Sequence, residues 1–472
     1  MSIAVKKTHG SNKINMCEGK IMPQLIRFAI PLMVTGVLQV LFNAADIIVV
    51  GKFAANSDHS LAAVGATGSL ISLIVNLFIG LSVGTNVLCA RYFGAKEKDD
   101  LSKTVHTSML ISIVTGIFLS IVGFFGAEFF LKLMSVPADV LPLSTLYLKI
   151  YFLGIVPMLV YNFAAAILRS VGDTKRPMYF LLLAGVVNVL LNLLLVVVFH
   201  LDVAGVAIAT VASQVISATL TVICLIRDDG EIKLSLSKLR CSKAHLLQII
   251  RIGLPAGLQS TMFCIANVII QTSVNAYDVA VTGGAGYIVA GCSAAASIES
   301  VVFTAMDAVY QAVVSFTSQN FGVRNYDRIK KAQVRGHIFV GVVAISLCVI
   351  CWLFPEPLVS LYAGEESLKT IEIGANRLVI VGGTCFLMGF ANIFVAGMRG
   401  MGYSMLPMII SLICICGSRL VWVATAFRIW YDIYVLYMAF PVSYALVLVA
   451  HAVCYFIISR RVMKKHPPLA LE

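Results

Sequence analysis

The chain has 472 residues, of which 59% are hydrophobic and only 12% are Asp, Glu, Lys or Arg, and its mean hydropathy is +0.93. A soluble chain carries roughly 25% charged residues, so soluble globular and disordered classes are excluded. The apolar runs are also too long and continuous for the alternating strands of an outer-membrane barrel, and the formal charge of +12 falls in the short segments between them.

A bilayer crossing takes about 20 apolar residues. Six runs qualify at 28–51, 65–90, 105–133, 145–168, 177–200 and 204–226, and six more at 250–275, 287–320, 336–362, 375–398, 405–427 and 433–458. The fold class is therefore all-α: a polytopic membrane protein of twelve helices in two six-helix lobes. The expected plan is a cytoplasmic tail at 1–27, an N-lobe at 28–226, a connector at 227–249, a C-lobe at 250–458 and a second tail at 459–472. The first residues are polar and basic without a short apolar core, so no cleavable signal peptide is expected.

The bases sort by side. The tails and the loops after spans two, four, six, eight and ten hold 28 of the 35 Lys and Arg residues. The other side holds Lys52, Lys132, Lys149, Lys369, Arg377 and Arg428, and Arg419 falls within a span. Basic loops stay in the cytoplasm, so both termini are expected there, in a plasma (inner) membrane. The positive charge then reads as topology and contact with anionic lipid, with no nucleic-acid partner. Most of the twelve cysteines lie in apolar runs, where a thiol behaves as a small hydrophobe. Cys348 and Cys351 have CxxC spacing but sit mid-span with no second pair.

The two halves repeat. Arg169, Gly172, Pro177 and Asn162 match Arg399, Gly402, Pro407 and Asn392 at an offset of 230, and Phe93-Gly94 matches Phe321-Gly322 at 228. Pro31 and Asn43 match Pro255 and Asn267 at 224. Both copies start on the same side, and parallel repeats of this kind are a transporter architecture with the substrate site between the halves. Arg169 and Arg399 end spans four and ten, where they are expected to bond terminal carbonyls.

Polar residues inside spans are costly and usually face the bundle interior. Span one carries Thr35, Gln39, Asn43 and Asp46 at helical spacing along one face. Span five has Asn188 and Asn192 one turn apart, span six a stripe of Thr210, Ser213, Gln214 and Ser217, and span seven mirrors span one with Ser260, Asn267 and Gln271. A lone Ser or Asn in such a place is more often interhelical glue, at about 0.6–2 kcal/mol per contact. An ionisable acid is a functional candidate, which singles out Asp46. Glu299 and Asp307 in span eight are further acids, and Arg419 is the embedded base. An Arg–acid pair would be a structural reading of these three and transport the functional one. His200 and His451, near span ends, read as interfacial.

Taken in order, these segments resemble the multidrug and toxic compound extrusion (MATE) family of secondary transporters. The resemblance runs nearly end to end, through EGKIMPQLIRFAIPLM, LFNAADIIVVG, RYFGAKEKDD, LRSVGDTKRPM, NVLLNLLLVVVFHLDVAGVAIATVASQ and SQNFGVRNYDRIKKA, and its details are similar to the DinF-type bacterial branch. It implies two lobes around a V-shaped cleft and antiport of proton or sodium against drugs. It carries the family's N-lobe coupling site onto Asp46, Asn188, Asn192 and Thr210, with Gln39 and Asn162 at further polar positions of that lobe. Many members have Asp where this chain has Asn192. The acidic C-lobe site of the sodium-driven branch also has no counterpart, since the runs assigned to spans seven and ten contain no Asp or Glu. Both departures tilt towards proton coupling, with sodium at Asp46, Asn188 and Thr210 the alternative.

No G-x-x-x-x-G-K-[ST] phosphate loop is present, so uphill work has to come from an ion gradient. The expected function is an antiporter, not an enzyme, that exports small lipophilic cations by alternating access. It should act as a monomer, without cofactor or ATPase partner. Its substrate cleft should use Gln39, Asn43, Asn162, Asn267 and Gln271, and Tyr147, Tyr151 and Tyr161 would suit cations through cation–π contacts. The alternative is a flippase for lipid-linked oligosaccharide. That activity needs a cleft lined by bases, and Arg419 is the only deeply embedded base the sequence suggests.

Overall fold

The computed structural model describes residues 13–53, 57–134, 136–363, 368–465 and 467, so the expected tails lie partly outside it. The described residues are helical, with no strand. The N-terminal half comprises α1 (Ile21–Phe53), α2 (Ser57–Ala95), α3 (Lys98–Leu133), α4 (Leu141–Leu153), α5 (Ile155–Ser170), α6 (Lys175–Asn192) and α7 (Asp202–Ile226). The C-terminal half comprises α8 (Lys243–Thr282), α9 (Tyr287–Gly322), α10 (Tyr326–Leu353), α11 (Pro355–Ala363), α12 (Leu368–Ile380), α13 (Cys385–Gly400), α14 (Met405–Ser411), α15 (Ser418–Ala424), α16 (Ala426–Ile429) and α17 (Ile433–Lys465). Eleven helices or helix runs are long and apolar enough to cross a membrane, and the bent pair α4–α5 brings the count to twelve.

Several predicted boundaries move, each for a local reason. The fourth span is bent by 43° where α4 gives way to α5. Gly154 lies at the break, and Pro157 has no N–H to offer the Leu153 carbonyl. The ninth stops at Leu353 rather than residue 362, because Pro355 cannot continue the hydrogen-bond ladder and instead opens α11. The first helix begins at Ile21, inside the expected tail, and α8 begins at Lys243, inside the expected connector. The last helix runs on to Lys465, past the expected boundary at 458. The longer α8 and α12 bring Asp278 and Glu372 into the seventh and tenth spans, contrary to the sequence reading. Asp278 is buried at the α8–α9 turn, where its carboxylate accepts from the N–H groups of Gly286 and Ile288. Glu372 lies in the N-terminal part of α12.

The repeat is present in the backbone. Gly172 and Gly402 both take positive φ, 86° and 93°, and each donates its N–H to the carbonyl of the preceding repeat arginine. Lys96 and Arg324 also match, with φ of 60° and 54° after the two Phe-Gly pairs. A six-residue π segment interrupts the helix in each half, Leu193–Val198 after α6 and Leu412–Gly417 after α14.

The halves meet through glycine. Gly80 and Gly84 on α2 cross Gly253 and Gly257 on α8 so closely that a Cβ on Gly80 would overlap the Gly257 Cα, and one on Gly84 would overlap the Ile249 carbonyl oxygen. This is small-residue packing of the kind that joins helices in lipid, where apolar surface alone provides no drive. The repeat pair Gly94 and Gly322 does the same reciprocally: a Cβ on Gly94 would meet the Gln319 carbonyl, and one on Gly322 the Arg91 carbonyl.

Residues 13–20 form a strap across the basic-loop face. Lys13 Nζ reaches the Asp228 carboxylate at 2.9 Å, and Ile14 packs on Gly172, both in the N-terminal half or its connector. Met16, 1% exposed, bonds the C-terminal half: its N–H donates to Gln319 Oε1 and its carbonyl accepts from Asn320 Nδ2. Arg328 donates to the carbonyls of Met16, Glu18 and Gly19. Burial pushes the Asp228 carboxyl up, but Lys13, the Gly230 N–H and Arg176 outweigh it and hold it below the usual carboxylate range. Burial lifts the Cys17 thiol to about 11.

Candidate functional site

Two polar clusters lie within the helices, one in each half. In the N-terminal half, α1, α6 and α7 bring together Asp46, Asn188, Asn192 and Thr210, the four residues proposed from the sequence. Asn192 Nδ2 donates to one Asp46 carboxylate oxygen and the Thr210 hydroxyl to the other, at 3.4 Å. Asn188 Nδ2 donates to Thr210 Oγ1 at 3.5 Å, and Asn192 Nδ2 also lies 3.3 Å from Asn188 Oδ1. Asn188 and Asn192 sit one turn apart on the buried face of α6, and the π segment begins directly after Asn192. Such segments disturb the regular ladder and are frequent at functional sites. Among the described residues no Lys or Arg pairs with Asp46. Asn192 Oδ1 is buried with no donor. The cluster is thus a half-buried carboxylate in neutral surroundings, with an unfilled acceptor beside it.

In the C-terminal half, α8, α9, α12, α13, α15 and α17 line an open cavity of about 540 Å³. The sequence candidates Asn267, Gln271, Glu299, Asp307 and Arg419 all line it. Gln39, Asn43 and Asn162 do not. Gln39 and Asn43 lie on α1, outside that wall, and Asn162 Nδ2 donates within its own helix to Met158 O at 2.8 Å. Its repeat partner Asn392 is the one that lines the cavity. Tyr147 and Tyr161 are buried away from it, the Tyr161 hydroxyl donating to the Pro177 carbonyl.

The arginines are where sequence reading failed. Arg377, placed in an outer loop, is 5% exposed and donates from Nε and Nη2 to the two Glu299 oxygens at 3.0 and 3.2 Å. The buried ion pair is therefore Arg377–Glu299, not a pair made by Arg419. Arg419 instead donates to Asn267 Oδ1 at 2.8 Å and lies 4.2 Å from the centre of the Phe440 ring. Arg399 does not cap its helix: it donates to the Tyr310 hydroxyl and to Gln259 Oε1, and its Nε is buried without a partner. Arg169 likewise reaches across the lobe boundary to Gln311 Oε1 at 3.0 Å. Three buried arginines rather than one face the cavity. A signal existed for Arg377, since it falls on the same helical face as Thr370 and Gly374, all buried. His451, read as interfacial, is fully buried, with Nε2 3.3 Å from the Pro407 carbonyl.

A duplicated twelve-span bundle, with a carboxylate cluster among the spans of its first half and a large, mostly apolar cavity bordered by three arginines in its second, is the build of a secondary transporter. The chain belongs to the MatE family, whose model matches residues 31–194 and 264–424. It is 28% identical over 375 residues to "Probable multidrug resistance protein YpnP" of Bacillus subtilis (strain 168), covering 76% of this chain and 81% of that one. It is 24% identical to an "FAD transporter" of Shewanella oneidensis, covering 73% and 75%. Its fold matches a multidrug resistance MATE family transporter solved in an outward-facing conformation, with TM-score 0.87 and 21% identity, covering 97% of this chain and all of that one.

Proposed function

We propose that the protein is a proton-coupled antiporter that exports small organic compounds by alternating access, with Asp46 as the coupling carboxyl. The observation that carries this reading is the Asp46 cluster: a carboxylate among neutral amides, with no cation paired to it among the described residues and a buried acceptor, Asn192 Oδ1, waiting for a donor. Low dielectric disfavours the charged form of an unpaired acid. A proton on Asp46 removes that charge and adds an O–H that a rotated Asn192 amide can accept. Each protonation state thus has its own bonding pattern, which lets proton binding bias one arrangement of α1, α6 and α7 over another. The relatives named for multidrug resistance and FAD transport support carriage of organic solutes. The same oxygens could hold sodium, and the positive-inside count supports cytoplasmic termini in a plasma membrane.

The test is transport by the purified full-length protein in proteoliposomes under separately imposed proton and sodium gradients. Solute movement driven by the proton gradient alone is expected. Movement driven by sodium alone would reassign the ion but keep the site, and a response to neither would reject coupled transport.

A further inference from the structure

We infer that the cavity in the C-terminal half is a binding site for an organic anion, a carboxylate or phosphate group carried on a flat apolar body. The inference rests on the reading of the protein as an exporter and names its substrate class, in place of the lipophilic cation suggested by the sequence. Charge is the first observation. The lining holds Arg377, Arg399 and Arg419 against Glu299 and Asp307, so even with both acids ionised one positive charge is in excess. Glu299 is committed to Arg377 through two bonds. Asp307 accepts from Gln311 at 2.6 Å, and among the described residues neither Arg399 nor Arg419 has a carboxylate in ion-pair contact.

Those two guanidinium groups belong to residues 6% and 2% exposed, yet their partners are neutral oxygens. Asp307 and Glu299 act on these cations only through space, and a buried cation whose direct partners are all neutral is costly unless an anion completes the site. Arg399 Nε, buried and unpartnered, is a donor in want of an acceptor. The second observation is shape. Phe440 lies under both Arg377 and Arg419, at 5.4 and 4.2 Å, and Tyr444 lies 5.7 Å from Arg419. With Phe263 and Phe303 on the wall, the cavity offers ring surfaces beside fork-shaped donors. Guanidinium suits carboxylate and phosphate by geometry as well as by charge, and the volume falls in the range of small-molecule sites.

The test is calorimetric titration of the full-length protein in nanodiscs with three naphthalene probes: 1-naphthoate, 1-naphthyl phosphate and 1-naphthylmethylammonium. At least one anion should bind about tenfold or more tightly than the ammonium compound, and the stronger of the two identifies the headgroup. Arg419→Gln should weaken anion binding about tenfold or more without weakening the ammonium compound. Arg419→Lys should recover part of the loss if it is charge, not packing, that matters, and Arg399→Gln should repeat the effect if the first variant misfolds. Preference for the ammonium compound, absence of binding by either anion, or wild-type anion affinity in both glutamine variants would overturn the assignment. The titration uses no ion gradient, so it can fail while proton-driven transport succeeds, or the reverse.

Discussion

Replacing Asp46 by Asn keeps the side-chain volume and removes the group proposed to take up the proton. Asn192 Nδ2 and the Thr210 hydroxyl can still donate to the amide oxygen introduced at this position, so the three-helix cluster stays bonded and the protein should fold and insert. The cluster holds a single carboxyl, so if Asp46 alone couples, one proton is expected to move per cycle. With the membrane potential clamped at zero, a gradient of one pH unit is worth about 1.4 kcal/mol per proton, which sets a ceiling of about tenfold on the solute concentration ratio. In proteoliposomes loaded with a fluorescent solute, the parent should approach this ratio, whereas Asp46→Asn should settle at equal concentrations on the two sides. Solute exchange without a gradient can persist in the variant. A ratio near tenfold in Asp46→Asn would refute the assignment, and a ratio near a hundredfold in the parent would show that a second titrating group takes part.

Three further outcomes follow from the packing. Glu299→Gln leaves the buried Arg377 charge uncompensated and should destabilise the protein by about 3–5 kcal/mol in denaturant unfolding, while Glu299→Leu with Arg377→Met should recover most of that; equal loss in both would show that the intact pair is itself stabilising and that the stranded charge is not the cause. Gly257→Ala drives a methyl group into the Leu77 carbonyl oxygen and should cost about 1–3 kcal/mol and slow transport, whereas the same change at Gly283, with open space around it but φ of +70°, tests backbone strain alone. Arg328→Ala removes the donors to the Met16, Glu18 and Gly19 carbonyls and should loosen the strap around Cys17; as burial is lost, the thiol, now at about 11, should return towards its ordinary 9.0 and react with maleimide up to about a hundredfold faster at about pH 7.5, read by peptide mass spectrometry. In the parent the Asp228 carboxyl lies below its unfolded value, so its contribution holds from neutral pH down to about 4 and is lost as pH falls further, through the folded value.

What could be read from the sequence follows from how each feature is encoded. Spans and lobes were legible because hydrocarbon demands long apolar runs, and the repeat because its turns need specific residues, as at Gly172 and Gly402. The Asp46 cluster was legible in part from spacing: Asn188 and Asn192 share a face, and an acid in an apolar run is too costly to persist there without a task, while its grouping with Thr210 rested on the family resemblance. The arginine-lined cavity was not. Arg377 and Arg399 lie near the ends of apolar runs, where a base usually marks a loop. Only the continuation of α12 back to Leu368 and the inward turn of the Arg399 side chain place them at the cavity wall. The pairing of Glu299 with Arg377 joins residues 78 positions apart, and no local pattern encodes that. The breaks at Gly154 and Pro355 carried local signals, but hydropathy averages over them.

The strap has a mechanical consequence. A short peptide bonded at one end to Asp228 and at the other to Gln319, Asn320 and Arg328 ties the two halves together as a cord ties two hinged boards. The boards cannot swing apart on that side while both knots hold. If the halves part on the basic-loop face, as the proposed alternating access requires, the N-terminal peptide has to peel from one of them. Part of the resistance to that opening would then lie in the stretch that precedes α1, and not in the apolar helices themselves.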